Sequence, residues 1–341
     1  MSAALICRTG DGRPRTLEPG VAVYLWAGKG LRHAFAKSLA ILQRTRPDIV
    51  ILHGPPSGLL STHFAPLVAQ VRAALPGVRI WVGIGGDGWA AQWRAGKCSD
   101  AQVVTPLVAA FAAAQAVGAE AVVPDLEAAW KSSKKGASVP DVKTRAQLEA
   151  LARRVMVEGG AAAPDAVIAL CSYDIPDLHK AFPLAACVVG TPVSVFAYMA
   201  YAADSTPDAG ELLRRVAWAQ REQEKAEGMG LLPDDVTGTD VPGDVDRVPI
   251  VQLHQLAMHD LVTVLAEFPL VMAWAAPLIV DGGRADPSGV LALEAALYLR
   301  REVGGGPGAI ARFQARAGLT ADGIVGPKTL AKLEAQRKMI A

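Results

Sequence analysis

Two acidic residues, Asp125 and Glu127, end an apolar run that begins at Ala119. Side chains alternate between the two faces of a strand, so residues i and i+2 project from the same face. The pair is therefore predicted to share one side of a strand's carboxyl end. Ionised carboxylates are costly beside an apolar core unless they are paired or used, which favours a chemical role such as proton transfer. The alternative is that both acids cap the next helix or bind a nearby arginine.

Eight strand-like apolar runs alternate with helical patterns along the chain. Most runs are continuous and rich in Val, Ile and Leu, which is typical of strands buried on both faces. Eight such units predict an α/β fold, a (β/α)8 TIM barrel, although a doubly wound sheet has the same periodicity. The predicted strands are 21–27, 48–54, 79–85, 119–127, 166–173, 194–201, 249–255 and 269–276, and the predicted helices include 32–46, 62–75, 105–117, 144–158 and 209–227.

Polar and aromatic residues gather at the ends of several predicted strands. The carboxyl ends of the strands of a parallel barrel meet at one mouth, where such enzymes do their chemistry. Aromatic faces stack on sugar C–H groups and polar side chains bond sugar hydroxyls, so the set favours a carbohydrate site, although each residue alone also fits a packing role. The candidate substrate-binding residues are Trp26, His53, Gly85, Gly86, Asp87, Trp89, Tyr198, Gln252, His254 and Trp274.

Composition excludes several classes of protein. Apolar residues make up 51% and charged residues 20% of the 341 residues, as in a globular chain, and the net charge of +1 argues against a nucleic-acid partner. No apolar run reaches the roughly 18 to 20 residues that span a bilayer. The four cysteines lack CxxC spacing and are predicted to be reduced packing thiols, which argues against disulfides and a zinc site. No cofactor or metal is predicted.

The last part of the chain predicts a small all-α module over residues 285–341, after a barrel domain over residues 1–284. A helix ending at Gly318, an Asp-Gly turn at Asp322 and a Gly-Pro helix start at Gly326 mark the module. It resembles the peptidoglycan-binding domain 1 family, with Gly304 to Pro307 replacing one of the family's turns. The family pattern FQxxxGLxxDGIVGPxT is matched by Phe313, Gln314, Gly318, Leu319, Asp322, Gly323, Ile324, Val325, Gly326, Pro327 and Thr329.

The resemblance of the module implies binding to the bacterial cell wall. The residues that it nominates for wall binding are Phe313, Gln314, Asp322 and Thr329. A docking or assembly module that reuses the same fold is the alternative.

The barrel resembles the family 18 glycoside hydrolases, the group of chitinases and spore-cortex glucosaminidases. The third-strand motif SxGG keeps its glycines at Gly85 and Gly86, and the fourth-strand motif DxxDxDxE keeps only Asp125 and Glu127. The sixth-strand motif MxYD keeps Tyr201, and Trp274 fits an eighth-strand tryptophan. Three motif positions differ: the serine is absent, Val123 replaces an aspartate, and Ala202 replaces another. Family 25 lysozymes also use a DxE pair, but their first-strand aspartate is missing.

This resemblance implies hydrolysis of an N-acetylhexosamine polymer. Glu127 would be the general acid, while Asp125 would orient the substrate's own N-acetyl group, whose carbonyl attacks the anomeric carbon. Tyr201 would donate a hydrogen bond to that carbonyl, and Trp274 would form the floor of the sugar subsite. The module makes peptidoglycan glycan strands the expected partner, as in a phage endolysin.

Three hypotheses stay open. The first is a peptidoglycan glycosidase made in the cytoplasm without a signal peptide, because the N-terminus lacks a basic segment before an apolar one. It would reach the wall after release or delivery, in association with a phage or phage-like particle. The second is an inactive barrel that binds wall glycan or serves as a structural part of such a particle. The third is an unrelated barrel enzyme that uses Asp125 and Glu127 as metal ligands.

Overall fold

The computed structural model describes residues 4–26, 31–126, 128–130, 142–173, 182–199, 246–252, 270–274, 297–298, 300–301 and 308–340. Within these ranges, eight parallel strands close a barrel, and a short antiparallel hairpin precedes it. The strands are β1 (Leu5–Arg8), β2 (Pro14–Leu17), β3 (Gly20–Trp26), β4 (Ile49–Gly54), β5 (Arg79–Gly85), β6 (Ala121–Asp125), β7 (Val167–Tyr173), β8 (Val193–Met199), β9 (Asp246–Gln252) and β10 (Leu270–Trp274). The barrel order is β10-β3-β4-β5-β6-β7-β8-β9, which confirms the predicted TIM barrel and its eight strands.

Helices follow most of the barrel strands. They are α1 (Leu31–Thr45), α2 (Pro56–Leu59), α3 (Phe64–Ala74), α4 (Asp87–Arg94), α5 (Asp100–Ala116), α6 (Arg145–Ala162), α7 (Leu184–Val188), α8 (Ala309–Arg316) and α9 (Pro327–Ile340), with a 3-10 turn at Ala128–Trp130. Helix α5 begins before the predicted residue 105, because Ser99 and Gln102 form a capping box there. No helix in the described ranges is long and apolar enough to cross a bilayer. The predicted helix 209–227 lies outside those ranges.

The barrel strands separate two apolar layers. Alternate residues of each strand line the interior, and the others pack against the helices. On β6, Val123 belongs to the interior and Val122 to the outer layer, so the alternation brings Asp125 to the interior side. On β4, Ile51 lies in the interior, and His53 follows two residues later. The fold therefore delivers both polar residues to the inside of the barrel at its carboxyl end.

The β1–β2 hairpin closes the opposite end of the barrel. Cys7 and Leu17 are fully buried and belong to the interior cluster of the barrel. The hydroxyl of Ser194 at the start of β8 donates a hydrogen bond of 2.8 Å to the carbonyl of Arg8. The sequence did not predict this hairpin, because its strands are only four residues long and show little periodicity.

Replacing Leu17 with Ala is expected to lower the free energy of unfolding by about 2 to 5 kcal/mol, because it opens a cavity in the packed barrel interior. Ile6 is the matched control, since its side chain on the same hairpin is 76% exposed. Ile6→Ala should change stability by no more than about 0.5 kcal/mol. Chemical denaturation of both variants tests the role of the hairpin, and equal effects would contradict it.

The four cysteines are free thiols, as predicted. Cys7, Cys171 and Cys187 are buried, and Cys98 is half-buried. Burial raises the pKa values of the Cys98 and Cys187 thiols above their usual range, so both stay protonated near neutral pH. Cys187 belongs to the outer apolar layer of the barrel, and Cys98 packs against that layer.

Residues just before the last two helices contact both parts of the chain. Leu297 is buried in the outer layer of the barrel, although it lies beyond the predicted domain boundary at residue 284. Its neighbour Tyr298 packs on the apolar cluster of α8 and α9, and its hydroxyl lies 3.2 Å from Gln336 Oε1. The Arg301 guanidinium donates a hydrogen bond of 2.6 Å to the carbonyl of Arg46, after α1. This segment ties the module to the barrel.

Candidate active site

Two polar side chains meet inside the carboxyl-end mouth of the barrel. His53 is the penultimate residue of β4, and Asp125 is the last residue of β6. His53 Nε2 lies 3.1 Å from Asp125 Oδ2, with the His53 side chain 5% exposed and the Asp125 side chain 14% exposed. The strand between them, β5, contributes no side chain at this level, because Gly83 and Gly85 face His53 and Asp125 in register.

The imidazole reaches Asp125 by passing over the glycines of β5. A methyl group on Gly83 would lie 2.4 Å from His53 Cδ2, so only glycine leaves room for the ring. A methyl group on Gly85 would lie 3.7 Å from His53 Cε1, an ordinary contact. The ring edge also packs on Tyr24, with centroids 5.8 Å apart and planes 68° apart. Sequence reasoning nominated His53, Gly85 and Asp125 separately but did not predict that they meet.

The two oxygens of the Asp125 carboxylate have different surroundings. The 3.1 Å contact is at hydrogen-bonding distance, but the imidazole N–H is not well aligned with the oxygen. Asp125 Oδ1 is buried and has no hydrogen-bond partner within the described part of the chain. A buried acceptor without a donor costs about 1 to 3 kcal/mol, more for a charged group. The carboxylate can therefore gain stability from a new donor at Oδ1.

Hydrogen bonds to the backbone hold the segment that follows β6. The Leu126 amide donates to the Cys171 carbonyl at 3.1 Å, and the Leu126 carbonyl accepts the Ser172 hydroxyl at 3.0 Å. Two residues past position 127, the Ala129 amide lies 3.4 Å from Asp87 Oδ2. Asp87 was predicted to bind substrate, and the structure places its carboxylate against this turn. Leu126 and Ala129, which flank the predicted general acid on either side, are thus held by hydrogen bonds.

The other predicted site residues fall into three groups. Gly86 is buried, and a methyl group there would lie 3.3 Å from Leu126 Cδ2, while Trp89 is half-buried and packs against the outer layer of the barrel. Glu127, Tyr201 and His254 lie outside the described residues. The remaining four lie at the carboxyl ends of barrel strands. Trp26, Gln252 and Trp274 are the last residues of β3, β9 and β10, and Tyr198 is the penultimate residue of β8.

Within the described ranges, no group of three or more His, Cys, Asp or Glu side chains is arranged to hold a metal ion. A cavity of about 700 Å³ lies at the other end of the barrel, near the amino ends of β4 and β5. It is lined by Glu18, Asp48 and Arg79 among others. Because barrel enzymes do chemistry at the carboxyl ends of their strands, we assign the candidate site to the His53–Asp125 mouth.

The C-terminal module is organised around a buried glutamine. Gln314 is 2% exposed, and its amide nitrogen donates to Asp322 Oδ1 at 2.8 Å and to the Ile324 carbonyl at 2.8 Å. Its carbonyl oxygen accepts the Gly323 amide at 2.8 Å. The Ile324 amide, and then the Gln314 amide, hold the pKa of Asp322 below its usual value. The glutamine thereby fixes the Asp-Gly turn that the sequence predicted.

The structure places the predicted wall-binding residues mostly inside the module. Phe313 is 2% exposed and Thr329 is 4% exposed, while Asp322 lies on the surface. Thr329 Oγ1 lies 3.1 Å from the Gln314 amide nitrogen. These buried side chains hold the loop between α8 and α9.

Replacing Gln314 with Leu is expected to weaken the module by about 1 to 3 kcal/mol, because the Gly323 amide and the Ile324 carbonyl lose their partner. Amide exchange at Gly323, whose N–H is bonded to the Gln314 carbonyl oxygen, should accelerate correspondingly in the full chain. Lys332→Gln, an exposed change on α9, is the matched control and should leave exchange unchanged. Equal exchange in Gln314→Leu and wild type would show that the glutamine does not hold the loop.

Comparison with known proteins agrees with the two-part organisation. Residues 308–333 match the family model of the peptidoglycan binding domain. No curated protein sequence matches the chain.

The barrel is similar in fold to solved glycoside hydrolase structures. GH5_18 from Streptomyces cattleya, in complex with GlcNAc, shares 14% identity at a TM-score of 0.54, covering 89% of this chain and 83% of that one. A variant of GH5_18 from the same organism, in complex with Manb1-4GlcNAc, shares 17% identity at a TM-score of 0.51, covering 94% and 91%. A cellulase in an inhibitor complex shares 10% identity at a TM-score of 0.50, covering 84% and 94%. The chain thus joins a TIM barrel, of the fold seen in these glycoside hydrolases, to a C-terminal peptidoglycan-binding domain.

Proposed function

We propose that the chain is a peptidoglycan glycosidase of the endolysin kind. The observation that carries the proposal is the covalent union of a peptidoglycan-binding domain with a barrel that has an acidic residue inside its carboxyl-end mouth. The module would hold the barrel at the wall and raise the local concentration of glycan without adding catalytic contacts.

Glycoside hydrolysis needs a proton for the leaving oxygen and stabilisation of positive charge at the anomeric carbon. In this proposal Glu127 supplies the proton. Asp125 accepts a hydrogen bond from the N–H of the substrate's acetamido group and so directs its carbonyl oxygen at the anomeric carbon. The unpartnered Oδ1 of Asp125 supports this role, because it offers an acceptor to such a donor. Tyr201 and Trp274 would complete the sugar subsite.

A second candidate is an inactive barrel that binds wall glycan or belongs to a phage or phage-like particle. One specific observation favours it: Val123, which stands where the resembled family has an aspartate, is fully buried in the interior cluster. The barrel therefore has one acid fewer beside Asp125. The metal-dependent alternative would require Asp125 and Glu127 to act as ligands.

The test is mass analysis of fragments released from purified sacculi by the full chain. New reducing ends on N-acetylglucosamine or N-acetylmuramic acid support the glycosidase, and their position identifies the bond that is cut. Binding to sacculi without any new reducing end selects the inactive barrel. Loss of activity in EDTA, restored by a divalent metal, would select the metal-dependent enzyme instead.

A further inference from the structure

We propose that His53 is a positioning residue for Asp125, holding Oδ2 so that Oδ1 is presented to the amide N–H of an N-acetylated sugar. This inference rests on the proposed function and names the feature of the chain that orients its acetamido-binding carboxylate. The role differs from the sugar contact that the sequence suggested for His53.

The first observation is the burial of the His53 side chain. His53 is 4% exposed, and its ring is enclosed by Tyr24, Gly83 and Gly85. A ring held on these sides has little freedom to swing out and contact a sugar hydroxyl. Its Nε2 atom instead lies beside Asp125 Oδ2. The imidazole therefore acts on the substrate through the carboxylate.

The second observation is the separation of the two carboxylate oxygens. Oδ2 lies against His53, whereas Oδ1 is buried and has no partner among the described residues. A carboxylate held at one oxygen keeps a defined direction for the other, which is the arrangement that a single N–H donor needs. The imperfect alignment of the His53 contact leaves room for a small rotation that brings the imidazole N–H into line with Oδ2 when a donor reaches Oδ1.

The third observation is the apolar character of the interior cluster that surrounds the pair. The interior cluster beside the pair consists of apolar residues and Tyr24, and the adjacent strand β7 contributes Cys171 in register with Asp125. Within the described residues, His53 Nε2 is the side-chain polar atom that contacts this carboxylate. The low local polarity makes each hydrogen bond to Asp125 more valuable than in water.

The test compares His53→Phe, which keeps a ring but removes the N–H, with His53→Gln, which keeps an N–H donor of similar reach. Kinetics on N-acetylglucosamine oligosaccharides should show a fall in kcat of about 10- to 100-fold for His53→Phe, with a smaller change in KM, and partial recovery for His53→Gln. Ile51→Val, an interior change two residues earlier on β4, is the matched control for packing and should keep kcat within about twofold.

A spectroscopic measurement separates this inference from the proposed function. The ¹⁵N resonances of the His53 imidazole should shift in Asp125→Asn, because Nε2 loses its carboxylate partner, and this readout needs no catalysis. Equal kcat values for wild type, His53→Phe and His53→Gln would overturn the inference while the glycosidase stands. So would unchanged ¹⁵N resonances. A wild-type chain that releases no reducing ends overturns the glycosidase and, with it, the positioning role.

Discussion

Glu127→Gln is expected to lower the rate of sacculus hydrolysis by about 10²- to 10⁴-fold, because an amide cannot protonate the leaving oxygen of a glycosidic bond. The loss should appear in kcat rather than in KM, since the substituted side chain keeps the shape that contacts the sugar. The rate of release of reducing ends from purified sacculi measures the effect. Binding of the variant to sacculi should equal that of wild type, because the module is unchanged.

Glu149→Gln is the matched control for this substitution. Glu149 lies on α6 in an i,i+4 pair with Arg145, and its side chain is 40% exposed. Such surface pairs contribute little stability, so activity and folding should both stay at the wild-type level. If Glu127→Gln hydrolyses sacculi as fast as Glu149→Gln, then Glu127 is not the general acid.

Gly83→Ala is expected to remove activity and to destabilise the barrel by about 1 to 3 kcal/mol, as overpacking of a filled interior does. The added methyl group would lie 2.4 Å from His53 Cδ2, and Tyr24 on the other strand limits retreat of the ring. Displacing the imidazole also breaks its contact with Asp125. Chemical denaturation and the release of reducing ends measure the two effects separately.

Gly85→Ala serves as the control for stability alone, because a methyl group there makes an ordinary contact of 3.7 Å with His53 Cε1. The double variant Gly83→Ala, His53→Ala sharpens the test, since it removes the clash but not the added methyl group. Its free energy of unfolding should be higher than that of Gly83→Ala alone, whereas its activity should remain low. A single variant Gly83→Ala with wild-type stability would contradict the steric account.

The sequence predicted the barrel because its strands are buried on both faces and carry long apolar runs. The β1–β2 hairpin escaped prediction because Cys7 and Leu17 are isolated apolar residues in short strands, and only the closed barrel shows what they cover. The start of α5 was misplaced because the Ser99 capping box, and not Thr105, begins the helix.

The candidate site was predicted residue by residue but not as a contact. Asp125 was expected at the carboxyl end of its strand, and the structure places it two residues after the interior residue Val123. The meeting with His53 depends on barrel closure and on strand order, which set β4 two strands from β6. The sequence did contain an indication of this contact in Gly83 and Gly85. Their i, i+2 spacing leaves the interior face of β5 at this level without side chains between β4 and β6.

For the C-terminal module, the sequence predicted the fold but not which of the pattern residues are buried. Its sequence pattern identified the fold, which the family match over residues 308–333 confirms. The pattern residues Phe313 and Gln314 were nominated for wall contact, yet both are buried and hold the loop. A pattern records which residues are required but does not distinguish packing from binding, because burial is decided by how α8 and α9 pack.

The most direct test of the glycosidase is to count new reducing ends in purified sacculi incubated with the full chain and, in parallel, with Glu127→Gln. We predict that reducing ends accumulate with time for the wild-type chain and stay near background for the variant, while both proteins co-sediment with the sacculi. Co-sedimentation of the wild-type chain with no gain in reducing ends would contradict the proposed function.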